Sequence, residues 1–116
     1  MRDLPIDRLP VPVSVREALQ ETRAALHGLY GERLAQLVLF GSQARGHPLP
    51  ESDVDVMVVL RGPFHLYDEI KRTSPLELAS LLKHEVPISF LIFEEDRFHD
   101  PSDPLMMNVY QDSILL

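Results

Sequence analysis

Cysteine is absent from the sequence, which excludes disulfides and thiolate metal centres, so any metal must be held by oxygen or imidazole. No low-complexity tract and no long apolar run is present, and nothing reads as a membrane span. The N-terminal stretch lacks the apolar core of a secretory signal. It carries Arg2, Asp3, Asp7 and Arg8 as charges and Pro5, Pro10 and Pro12 as breaks, so the expected compartment is the cytoplasm. Positive charge is scarce. Eleven Lys plus Arg face eighteen Asp plus Glu, for a formal net charge of −7, and phosphate backbones need a basic face, so strong nucleic-acid binding by this chain alone is not expected. The histidines at 27, 47, 65, 84 and 99 are scattered without ligand spacing, which argues against an imidazole metal cluster.

What is present suits one globular unit. The 116 residues are 45% hydrophobic and 25% charged, enough for a single core, and the expectation is one domain over 1–116 with residues 1–13 as a proline-punctuated N-terminal arm. Ser14 and Glu17 read as a capping box that starts a first helix, whose buried face takes Val15, Ala18, Leu19, Thr22, Leu26 and Leu29 before Gly28 or Gly31 stops it. Two apolar runs, Leu34 to Phe40 and Asp53 to Leu60, read as strands. Ser74-Pro75-Leu76-Glu77 repeats the capping pattern, predicting a second helix that begins there and buries Leu78, Leu81 and Leu82. A third strand runs from Ile88 to Phe93 behind Pro87, and Asp103-Pro104 caps a last helix. The class is α+β, in the order α-β-β-α-β-α.

The chemistry lies at the ends of the first two strands. Side chains alternate along a strand, so Asp53, Asp55, Met57 and Val59 share one face. Two carboxylates leaning together offer hard oxygen ligands to Mg²⁺, which keeps waters and bridges to substrate phosphates. Gly41-Ser42 closes the preceding strand. A glycine there lets backbone approach phosphate, and Ser42 offers an amide and a hydroxyl. Arg45 either adds positive charge to the same phosphates or stays solvated or paired with Glu51 or Asp53. Each half alone is an ordinary strand end. Together, Gly, Ser, Asp and Asp at these four offsets arise by chance in roughly one chain of this length in a thousand.

The segments Leu37-Val38-Leu39-Phe40-Gly41-Ser42-Gln43-Ala44-Arg45-Gly46 and Ser52-Asp53-Val54-Asp55-Val56-Met57-Val58-Val59 resemble the minimal nucleotidyltransferase group of the DNA polymerase β superfamily. The resemblance implies a small mixed sheet with flanking helices, an Mg²⁺ cofactor, and an NTP substrate, expected to be ATP, whose NMP goes to a hydroxyl on a protein or small molecule. It matches Gly41 and Ser42 to the phosphate-binding pair and Asp53 and Asp55 to the first two catalytic metal ligands. Active members of that group carry a third carboxylate on the next long strand, where this chain has Ser89. A neutral serine supplies neither charge nor a carboxylate base. The alternative is therefore a nucleotide-binding module of antitoxin type that acts by holding a helical HEPN partner, with homo-oligomerisation left open.

Overall fold

The computed structural model of the protein describes residues 1–45 and 53–116. Its frame is a five-stranded mixed sheet in the order β1-β5-β2-β3-β4, built from β1 (Arg2–Asp3), β2 (Leu34–Phe40), β3 (Val54–Leu60), β4 (Ile88–Glu94) and β5 (Ile114–Leu115). Strand β2 runs antiparallel to both β3 and β5, while β3–β4 and β1–β5 are parallel pairs. A parallel neighbour needs a long crossover, and α3 (Leu66–His84) supplies it between β3 and β4.

Period-2 alternation divides the core into two layers. Val54, Val56, Val58 and Leu60 of β3 join Leu37, Leu39, Ile88 and Ile92 beneath the buried residues of α1 (Val13–Tyr30). Met57 and Val59 point to the other side, where Val38 and Phe93 meet Met106 and Val109 of α5 (Pro104–Val109), which follows the short α4 (Glu95–Phe98). The strand parity read from the sequence therefore holds along β3. The N-terminal arm is part of the core. Ile6, Leu9 and Val11 are buried, and β1 extends the sheet beside β5.

Helix boundaries depart from the sequence reading in two places. Helix α1 starts at Val13 on Pro12, without a side-chain cap, so Ser14 lies inside it. Burial of Leu9 and Val11 fixes the approach of the arm, and the Arg16 amide bonds the Pro12 carbonyl. Val15, Ala18, Leu19, Thr22 and Leu26 are buried as expected, but Leu29 is exposed and Tyr30 takes the last inward place before Gly31 turns the chain at φ 54°. Helix α3 begins nine residues before the predicted start and runs through Pro75. Thr73 Oγ1 and Ser74 Oγ donate back to the Glu69 and Ile70 carbonyls at 2.9 and 2.6 Å instead of capping a new helix. Packing decides this: Glu69, Thr73 and Ser80 form one continuous buried line on both sides of the proline, and such burial outweighs local propensity. A consequence is that Leu78, Leu81 and Leu82, expected in the core, lie on the exposed side.

The cap at Asp103 matches its sequence signature. Its carboxylate accepts from the Leu105 and Met106 amides and pairs with Arg97 Nε at 2.7 Å. Among the described residues no helix is long and apolar enough to cross a membrane.

Candidate active site

The β2–β3 pairing brings the two halves of the motif together. Phe40 lies opposite Asp55 in the antiparallel register, so the residue after Phe40 arrives beside the Asp55 side chain. That residue is Gly41, at φ 78°. A Cβ placed on it would stand 2.4 Å from Asp55 Oδ2, far inside van der Waals contact. Glycine is thus required twice here, by a left-handed backbone and by the carboxylate against its Cα. The chain then winds at once into the single turn of α2 (Ser42–Arg45). Gln43 and Ala44 are buried beneath this turn, and Arg2 Nη2 donates to the Ala44 carbonyl at 2.7 Å. The terminal strand therefore holds the turn in place.

Asp53 stands just before β3, exposed, and Asp55 is half-buried two residues on. Their shared side is the Met57–Val59 side of the sheet. The parallel β3–β4 register sets Ser89 opposite Asp55, and Ser89 Oγ donates to Asp53 Oδ2 at 3.4 Å. Serine is the β4 residue beside the aspartate pair. The acids at the end of that strand lie elsewhere: Glu94 pairs with Leu60 at the opposite end, about 17 Å along the strand from Ser89 at 3.3 Å per residue. Glu95 there faces Arg61 at 3.7 Å.

One acid near the pair escaped the sequence reading. Glu77 of α3 accepts a hydrogen bond from the Phe90 amide and feels the charge of Asp53; burial raises its pKa, the Phe90 amide opposes that rise, and Asp53 adds to it. Strand β4 is an edge of the sheet, and its Pro87 carbonyl faces β3. Backbone direction alternates along a strand, so the Phe90 amide points to the open edge, where Glu77 meets it. The spacing of Glu77 from Ser74 had accounted for it as a capping partner, and nothing local signals its tertiary role. Arg2 was equally illegible, since its partner lies 42 residues away.

Asp53 and Asp55 are a pair of hard-oxygen donors of the kind that suits Mg²⁺, and the Asp55 carboxylate fills the space that a side chain at Gly41 would take. Among the described residues no group of three His, Asp or Glu side chains is arranged to hold a metal by itself, and Mg²⁺ commonly completes its shell with water and substrate phosphates. The expected phosphate contact of the Arg45 side chain, and the loop residues His47 and Glu51, lie outside the described residues.

Known proteins resemble this chain in sequence and in fold. The family model of the nucleotidyltransferase domain matches residues 14–113. A protein of Methanocaldococcus jannaschii that bears the name "Putative protein adenylyltransferase" is 31% identical over 85 residues, covering 72% of this chain and 77% of that protein. A solved "putative nucleotidyltransferase" from Sulfolobus solfataricus superposes with a TM-score of 0.56 at 20% identity, over 95% of this chain and 80% of the other, a likeness of fold. With the family match spanning both halves of the site and the strands β2, β3 and β4 that join them, this chain belongs to the nucleotidyltransferase domain family.

Proposed function

We propose that the protein binds ATP with Mg²⁺ at Gly41, Ser42, Arg45, Asp53 and Asp55 and transfers AMP to a hydroxyl group, on a protein or a small molecule. The observation that carries this reading is the seat of Asp55 against Gly41, which brings the carboxylate proposed to hold the metal against the Gly41-Ser42 turn proposed to hold the phosphates. The adenylyl group and a protein acceptor are supported by the name of the M. jannaschii relative. In the reaction, the acceptor oxygen bonds to the α-phosphorus while the bond to the bridging α,β oxygen breaks. Pyrophosphate leaves, and the hydroxyl proton passes to solvent or a site carboxylate. Bound Mg²⁺ supplies charge neutralisation at the phosphates. Asp53 and Asp55 hold it, the Gly41-Ser42 turn donates to phosphate oxygens, and Arg45 adds positive charge. The setting we infer is the cytoplasm, with residues 1–116 acting as one domain.

A second reading is favoured by Ser89. With a hydroxyl opposite Asp55, the site would retain ligands for the triphosphate but lack an acid at the β4 position beside the aspartate pair to activate the acceptor, so the chain would serve as a nucleotide-binding antitoxin-type module for a helical HEPN partner. Titration with ATP and Mg²⁺, and incubation with α-labelled ATP and a partner protein, separate the two. Label on the partner that is lost in Asp55→Asn supports transfer; Mg²⁺-dependent binding without label supports the module. Absence of ATP binding at millimolar Mg²⁺ sinks both.

A further inference from the structure

Helix α3 carries an apolar stripe that nothing in the described chain covers. Tyr67 is 72% exposed, Leu78 55%, and Leu66, Ile70, Leu81 and Leu82 are likewise exposed. At about 100° per residue, Tyr67, Ile70, Ser74, Leu78 and Leu81 fall within about 80° of arc, with Leu66 on one margin and Leu82 on the other. The buried line of Glu69, Thr73 and Ser80 lies on a different side of the helix.

The stripe reads the same in both directions. Counting outward from Ser74, four residues either way lead to Ile70 and Leu78, seven to Tyr67 and Leu81, and eight to Leu66 and Leu82. An arbitrary partner requires no such symmetry. Two copies of one helix packed antiparallel do, because a two-fold axis at residue 74 sets each residue beside the one at the same distance on the other side of 74.

We propose that the partner of this face is a second copy of the chain, docked through antiparallel α3 helices with the two-fold axis at Ser74. Ile70 of each copy then packs beside Leu78 of the other, and Tyr67 beside Leu81, in the side-by-side layers of an antiparallel helix pair. Ser74, with its small side chain, allows the helices to approach at the axis. The exposed side chains offer on the order of 600 Å² from each copy, so the pair reaches the lower range of specific interfaces at about 1,200 Å².

The test uses the absence of cysteine. Helix axes 8–10 Å apart, each with a Cα radius near 2.3 Å, bring the two Ser74 Cα atoms to about 3.4–5.4 Å, which overlaps the disulfide range. Ser74→Cys should form a covalent dimer under mild oxidation at micromolar protein, and Asp68→Cys, exposed on the flank of α3, should not. Sedimentation should show a dimer for the wild type and a shift to monomer, at least tenfold in dissociation constant, for Leu78→Asp. Leu78 is exposed in the monomer, so the helical circular dichroism of that variant should stay unchanged. A wild type monomeric at 100 µM, a dimer that ignores Leu78→Asp, or equal cross-linking at 68 and 74 each overturns the proposal. So does a monomer that captures a different protein on this stripe.

Discussion

Replacing Gly41 by alanine tests the central contact of the site. Two costs add. An L-residue at φ 78° is penalised by about 1–2 kcal/mol. The new Cβ, 2.4 Å from Asp55 Oδ2, must push the carboxylate by roughly 1 Å, a displacement of the kind that overpacking makes at about 1–3 kcal/mol. The sum, about 2–5 kcal/mol, corresponds to a fall in Tm of roughly 6–20 °C for a domain of this size. Gly62 is the internal control: its φ is 77° and nothing lies within 4 Å of its would-be Cβ, so Gly62→Ala incurs the backbone cost alone. Thermal unfolding by circular dichroism compares the two directly, and calorimetric titration with ATP and Mg²⁺ at a temperature where both are folded should show binding weakened at least tenfold only in Gly41→Ala. In an Asp55→Ala background the contact is gone, and the cost of Gly41→Ala should drop to that of Gly62→Ala. If Gly41→Ala proves no costlier than Gly62→Ala, or Asp55→Ala brings no relief, the close seat of Asp55 on Gly41 is wrong.

Three further outcomes are expected. Ser89→Asp, placing an acid opposite Asp55 and beside Asp53, should lower stability without metal by about 0.5–1.5 kcal/mol through like-charge repulsion; Mg²⁺ should reverse that loss in a melting experiment, and equal Tm values with EDTA and Mg²⁺ would count against the metal assignment. Arg97 beside Asp103 holds that carboxyl below its ordinary pKa, so its contribution is fully present above the ordinary carboxylate range and is lost as pH falls through the lowered value. The Tm difference between wild type and Asp103→Asn should accordingly shrink as pH drops below about 4, and a constant difference contradicts the ion pair. Glu85 closes α3 at φ 56°, a left-handed cap that favours glycine, so Glu85→Gly should stabilise by about 0.5–1 kcal/mol in urea unfolding; a loss of stability refutes that view of the cap.

The legible parts of the molecule are those governed by nearest neighbours along the chain. Alternation in Val54–Leu60 predicted which side chains share the Asp55 side, and Asp103 followed by proline predicted the α5 cap. Local rules misled where packing competed with them. Ser14 and Ser74 both have capping signatures, yet both lie within helices, because the buried arm determines where α1 begins and the line from Glu69 to Ser80 carries α3 across Pro75. The leucines at 78, 81 and 82 have helical spacing, but spacing does not say which side of a helix meets the sheet.

The sequence by itself determined that a Gly-Ser turn and an aspartate pair stand at strand ends, since turn chemistry and side-chain parity are properties of the chain within a few residues. Only the tertiary structure decided that Phe40 faces Asp55 and Ser89 faces it from the other side, that Glu77 reaches the edge beside Asp53, and that Arg2 holds the turn. Those relations are set by strand register and helix packing. Both depend on which distant apolar surfaces meet, and no local pattern encodes that choice.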